Sequence, residues 1–333
     1  MDTQKHLFDN KKMAVLLIPL AIDQLLNSFM GTVDTLVVSS LGSAAISAVT
    51  LVDSINILIV QAFFALASGG TVVCSHYLGC KKQDHAKEAA RQLIFITFCL
   101  SALIGIICFL FNGQILGLIF GEVEENVMTN AKQYFFFSAI SYPFIALYDD
   151  GSCILRAQEN SSLPMKISIC SNIVNAVLNI WFVWGLHFGV AGSACATMLA
   201  RLFAMFVVMY KLRKPDLEIP VYDYFTIRPQ WKEIRRILNI GIPSGIENSM
   251  FQFGKLAIQS TVSLMGMAAI AAQGMANLIE NLNGILAIGV GVGLMTVVGE
   301  SLGAGRKDEA IYYVKKLSIV SEVVIVISCL VMY

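Results

Sequence analysis

Charge is what this sequence has least of. Only 14% of its residues are Asp, Glu, Lys or Arg, while 56% are hydrophobic and the mean hydropathy is +0.71. A soluble domain carries about 25% charged residues. A soluble globular fold is therefore excluded, and 333 residues imply several membrane spans rather than two soluble domains. Histidine is scarce as well: the four present lie far apart and form no HExxH pair. The eight cysteines include no CxxC and no metal-ligand spacing, and most fall in apolar runs, where a thiol packs as a small hydrophobe. There is no Walker-type phosphate loop and no GxSxG elbow. Nothing here argues for an enzyme, a cofactor, a bound metal or a nucleic-acid partner. No small-residue cleavage site follows the short basic N-terminus, so the apolar run from Met13 reads as a retained helix.

What is present is length of apolar chain. Nine segments stand out, at about 13–40, 44–78, 91–112, 131–155, 164–186, 189–211, 237–264, 268–302 and 313–333. Each is long enough for a helix crossing the ~30 Å hydrocarbon core. Lys and Arg order them. With the N-terminus cytoplasmic, 20 of the 23 basic residues fall on the inner side, and the outer loops hold only Lys132 and the acidic run Glu122-Val123-Glu124-Glu125. Arg201 and Lys255 lie within spans. The expectation is a multi-pass protein of a plasma (bacterial inner) membrane, monomeric when complete. The long polar connector with Pro215, Pro220 and Pro229 follows six spans and reads as a linker between two bundles.

An internal repeat gives the architecture. Shifted by 224 residues, segment 18–86 lies on 242–310 without a gap, and 19 of the 69 pairs are identical. Apolar helices resemble one another by chance, but the match also runs through the polar loop: Leu78-Gly79 falls on Leu302-Gly303, and Asp84 on Asp308. Six spans separate the copies, so both have the same orientation. Parallel six-span repeats describe a two-lobed transporter with the substrate path between lobes. The expected fold is thus all-α and polytopic. It comprises a six-helix N-lobe (1–212), a cytoplasmic linker (213–236) and a partial C-lobe of three helices (237–333). The chain stops inside an apolar run about three helices short of a second six, so a partial product is expected.

Within the first span, Thr32-Val33-Asp34-Thr35 sets a carboxylate inside apolar chain. Such a group is costly and by default marks an ion or proton pathway. Counting helix depth at ~1.5 Å per residue puts Asp34, Asn179 and Thr197 at similar distances from the outer face, with Asn175 one turn deeper than Asn179. Lys255 and Glu280 share a mid-membrane depth that suits an ion pair. Asp53 lies near the depth of Asp34. Glu247, Glu280 and Arg201 complete the intramembrane charges, while Asp149 and Asp150 read as solvated near the inner end of the fourth span.

Several of these stretches together resemble the multidrug and toxic compound extrusion (MATE) family of cation-coupled exporters. They are Thr32–Thr35, Leu41-Gly42-Ser43-Ala44-Ala45, Leu155-Arg156-Ala157-Gln158-Glu159-Asn160 with Pro164, Gly189–Thr197, and Ala271-Ala272-Gln273 with Asn277. The resemblance implies that Asp34, Asn175 and Thr197 belong to a site for H⁺ or Na⁺. The family's remaining acid falls at position 179, where this sequence has Asn179. It also implies export of amphipathic or cationic small molecules by alternating access, and the intramembrane charges Asp53, Glu247, Lys255, Glu280 and Arg201 are, by their position, candidates for the substrate path. Two alternatives stand beside it. One is a lipid-linked sugar flippase, which needs a more basic cavity than Arg201 and Lys255 provide. The other is a non-transporting fragment.

Overall fold

The computed structural model describes residues 6–121, 124–222, 224, 227–263 and 267–332. Glu122 and Val123 of the acidic run and Met265-Gly266 of the second-copy turn lie outside the described residues, as do the side chains of Thr32 and Asn277. Ten α-helices follow in order: α1 Asn10–Ser39, α2 Ser43–Gly79, α3 Gln83–Leu110, α4 Asn112–Phe120, α5 Glu125–Ala157, α6 Ser162–Ile180, α7 Gly189–Leu212, α8 Trp231–Ser263, α9 Met267–Gly303 and α10 Lys307–Met332. A π-helical turn, Trp181–Gly185, prolongs α6. No strand occurs among the described residues.

Each of the nine apolar segments is a helix. Where bounds differ, charge explains it. α3 starts at Gln83, eight residues before its apolar run, because its first turns carry the i,i+3 pairs Lys87–Asp84 and Arg91–Glu88. α8 likewise starts at Trp231, so the connector without helix is 213–230. The short α4 is an addition: it follows directly on α3, and its Leu118 and Ile119 are exposed. By length and apolar content alone, five helices qualify as spans: α1, α2, α3, α6 with its π turn, and α7. Exposed Leu103, Ile106 and Leu110 make an apolar stripe on α3. In water such a stripe would be a liability, and in lipid it is the expected surface.

The repeat is realised in the backbone. The helices α2 and α9 end at equivalent residues, Gly79 and Gly303, 224 positions apart. Helices α1 and α8 both carry a proline at the repeat position, Pro19 and Pro243. The helices α2 and α5 are central. From Ala65 to Thr71, and again from Asp150 to Ala157, every residue is buried, and most are small. Small residues let helix backbones approach closely where lipid supplies no hydrophobic drive for association.

Close contact between the first seven helices and the last three falls toward one end of the bundle. This is the end bearing the α2–α3 loop, the 213–230 connector and the α9–α10 loop; we call it the basic end. There a Cβ on Gly79 would run into the Glu300 carbonyl, and a Cβ on Gly303 into the His76 carbonyl. These two contacts are related by the same 224-residue shift. Nearby, Gly69 leaves room for Ile237 and Gly241 of α8, and its repeat mate Gly293 faces Leu17 of α1. Tyr77 donates to both oxygens of the buried Glu233 (3.0 and 2.9 Å), fastening α2 to the start of α8.

Candidate functional site

α1 and α6 run side by side in the same direction, each with a polar stripe along the shared seam. On α1 the stripe is Asp23, Asn27 and Asp34; on α6 it is Ser168, Asn172, Asn175 and Asn179, spaced 4, 3 and 4 residues apart. That spacing keeps all four on one helix face. Asn27 Oδ1 accepts from Ser168 (3.2 Å) and Asn172 (3.1 Å). One to two turns further on, Asn179 Nδ2 donates to Asp34 Oδ1 at 2.7 Å and Asn175 Nδ2 faces Asp34 Oδ2 at 3.5 Å. The two asparagines are themselves linked at 3.2 Å. Asn179 is wholly buried and Asn175 nearly so, whereas Asp34 keeps partial access. Beyond the site, the π turn carries Trp184, whose indole N–H donates to Ser40 Oγ at 2.9 Å and ties the ends of α1 and α6 together. A π turn of this kind often accompanies a functional position.

Thus Asp34, Asn175 and Asn179 meet as the depth count required. Thr197 does not join them: it is half-buried on α7 and makes no hydrogen bond to Asp34 among the described residues. A second polar group borders the first. Asp53 accepts from Asn56 (3.2 Å), and Asn56 is held in turn by Ser138 (3.3 Å) and the Tyr142 hydroxyl (2.8 Å). Arg201 donates to Ser141 at 2.6 Å.

The last three helices contribute differently. Lys255 and Glu280 form the foreseen ion pair, 2.9 Å apart, with about a third and a half of their side chains exposed. Glu247 is exposed on α8 and shares no contact with that pair or with Asp34 among the described residues. No cluster of His, Cys, Asp or Glu among the described residues has the make-up of a metal site.

Two features escaped the sequence reading. Asp23 pairs with Arg156 of α5 at 3.3 Å, and both side chains are at least nine-tenths buried. Only Asp23's alignment with Glu247 in the repeat hinted at its depth, and nothing local linked it to an arginine 133 positions away. The other is Asp150, expected to be solvated but fully buried. The reason is that α5 continues seven residues past it to Ala157, with Gly151 seated against Val208 of α7.

This arrangement defines a class: a polytopic helical membrane protein with two parallel repeats and a buried carboxylate–amide site in the first. The MatE family model matches residues 19–181 and 243–333, two stretches whose first residues differ by the repeat offset. The chain belongs to the MatE family. Over 307 residues it is 25% identical to the probable multidrug resistance protein YoeA of Bacillus subtilis, aligning 90% of this chain with 65% of that protein. It is 24% identical over 313 residues to the probable multidrug resistance protein NorM of Thermotoga maritima, aligning 92% of this chain with 66% of the relative. The chain therefore spans about two thirds of the length of these relatives. Among solved structures it resembles a MOP superfamily transporter from Pyrococcus furiosus, with a TM-score of 0.87 and 21% identity over 95% of this chain and 70% of that one. An outward-facing multidrug resistance MATE family transporter gives a TM-score of 0.86 at the same identity and coverage. At that identity the structural likeness shows the fold alone.

Proposed function

We propose that the chain carries the N-lobe and part of the C-lobe of a secondary antiporter that exports amphipathic or cationic small molecules in exchange for H⁺ or Na⁺. The observation that carries this reading is the Asp34 carboxylate, held inside the helix bundle by the amides of Asn175 and Asn179. An ionisable group at that depth is expensive unless its charge is used. The amides satisfy it while it is ionised, and its partial access leaves a route for a cation. Once neutralised, Asp34 loses its demand for two donors, and the α1–α6 seam is free to repack. A ligand moves such an equilibrium only by its differential affinity for the two states. Export then follows if the repacked seam binds substrate more weakly.

With the basic end cytoplasmic, the helix contacts at Gly79 and Gly303 close the inner side, and the space between the lobes opens outward. Amphipathic substrates suit α8, which offers the Lys255–Glu280 pair beside exposed apolar positions such as Ile258 and Phe251. The relatives' names, multidrug resistance proteins among them, agree with this substrate class. The test is ethidium efflux by the chain in an efflux-deficient host under imposed proton or sodium gradients. Asp34→Asn at equal expression should bring gradient-driven efflux to background. Undiminished efflux in that variant would sink the mechanism.

A further inference from the structure

The first lobe carries a cavity that the carboxylate–amide site does not use. A groove of about 520 Å³ runs between α3, α5 and α7 and is bordered by the connector. Phe98, Phe144 and Phe206 line its walls, and Tyr224 of the connector forms its edge. That volume falls in the range of small-molecule sites. Among the described residues no part of α1 or of α8–α10 lines it, so it lies away from the space between the lobes. Phe98 and Phe206 are 49% and 61% exposed, which opens the groove toward lipid. Apolar surface alone would need no particular occupant here. The chemistry at one end sets this groove apart. Arg213, which ends α7 at the basic end, is the one charged residue among the described lining residues. A cation at a helix C-terminus complements the helix dipole, but that does not account for the apolar channel leading to it. The guanidinium lies 5.4 Å from the centre of the Tyr224 ring. Among the described residues it forms no ion pair, and its hydrogen bond to the Tyr222 carbonyl is long at 3.4 Å. Most donors of its planar fork therefore stay open, and such a fork matches a phosphate group. Tyr224 is fixed independently, its hydroxyl donating to the Met209 carbonyl of α7 at 2.8 Å.

We propose that this groove binds an anionic phospholipid from the leaflet on the basic side, with an acyl chain between α3, α5 and α7 and the phosphate on Arg213. A molecule that is apolar for most of its length and anionic at one end matches an apolar groove with a cation at one end. Basic residues at the membrane edge of a cleft between helices recognise anionic headgroups in this way. The sign is wrong for a cationic export substrate, so the groove is separate from the substrate path. Lipid seated there touches three helices of the first lobe and the connector at once, and so fastens the connector to that lobe.

The test titrates lipid into the purified chain in detergent and reads the thermal midpoint, because a ligand that binds only the folded state raises it. The probes are dioleoylphosphatidylglycerol, dioleoylphosphatidylcholine with the same chains, and glycerol 3-phosphate, which has the phosphate and no chains. Phosphatidylglycerol should raise the midpoint saturably, and the other two should not. An equal rise with phosphatidylcholine means unselective lipid, and an equal rise with glycerol 3-phosphate means a phosphate site without a groove; either overturns the proposal, as does no rise at all. Arg213→Gln should raise the half-maximal phosphatidylglycerol concentration about tenfold, as the loss of a charge-assisted contact predicts. Lys214→Gln, adjacent in sequence but outside the groove lining, should leave it unchanged. No change in Arg213→Gln, or an equal change in Lys214→Gln, overturns the proposal. Met205→Trp fills the groove from α7 while keeping Arg213, and it should weaken the titration; undiminished binding would show that no chain lies there. If Arg213→Gln does not fold, the comparison of probes on the wild type and Met205→Trp decide the matter.

Discussion

Helices α1 and α8 are copies in backbone and opposites in chemistry. Each has a proline at the same repeat position. Yet where α1 has Asp34 against two asparagines, α8 has exposed Ile258; where α1 has Asp23 buried on Arg156, α8 has exposed Glu247. The paired charges Lys255 and Glu280 of the later helices are partly exposed. A membrane helix fold is specified by apolar length and by small residues at crossings. Those features fix the shared architecture and leave polar positions free to differ. The acids Asp23 and Asp34 of α1 find donors on α5 and α6, which have no counterpart beside Ile258 and Glu247 among the described residues.

The largest expected effect tests whether the difference between copies is functional. Asp34→Asn/Ile258→Asp moves the carboxylate to its repeat mate, and gradient-driven efflux should stay at background because α8 lacks the asparagine pair. Recovered efflux would make the two copies interchangeable and break the comparison. Next in size is the buried ion pair. Asp23→Asn or Arg156→Met strands one charge, which typically costs ~3–5 kcal/mol, so thermal unfolding should move down sharply. Asp23→Leu/Arg156→Met should recover much of the loss. At the mate, Glu247→Gln should stay within about 0.5 kcal/mol.

A smaller effect probes what the copies share. Gly79→Ala and Gly303→Ala should each destabilise by ~1–3 kcal/mol through forced separation of α2 and α9, and the double variant should cost less than their sum because both act on one crossing. Gly291→Ala, on α9 with open space around it, is the neutral control. Smallest is the Lys255–Glu280 pair. A double-mutant cycle on unfolding should give ~0.2–1 kcal/mol, the range of accessible ion pairs. A coupling several times larger would mean that the second copy also depends on a desolvated charge.

How much of this was legible depended on the kind of signal. Hydropathy gave the nine segments, and the gapless repeat gave the equivalence of α2 and α9, because both depend on local pattern. The meeting of Asp34 with Asn175 and Asn179 was legible too, since counting turns fixes depth and the i,i+4 spacing fixes the face. Thr197 had the right depth but not the contact: depth does not say how α7 is rotated about its axis. The Asp23–Arg156 pair was hidden because Arg156 belongs to a stretch that reads as loop, although α5 in fact runs past it. Asp150 was misread because nothing in the sequence shows that this end of α5 packs against α7 through Gly151. The lower half of the α1–α6 seam was a missed opportunity, for Ser168, Asn172, Asn175 and Asn179 have the spacing of a polar stripe without any structure.

The crossing of Gly79 and Gly303 has a mechanical consequence. Most packed surfaces yield gradually, because side chains change rotamer as the helices part. Here peptide carbonyls face bare α-carbons, so the joint has no compliant layer. It is either seated or apart, and a partly opened crossing would keep almost none of its contact. Packed elements of this sort switch rather than bend. Such a joint acts as a threshold. Small fluctuations around Asp34 leave the basic end closed, and only a change large enough to unseat the whole crossing would part it.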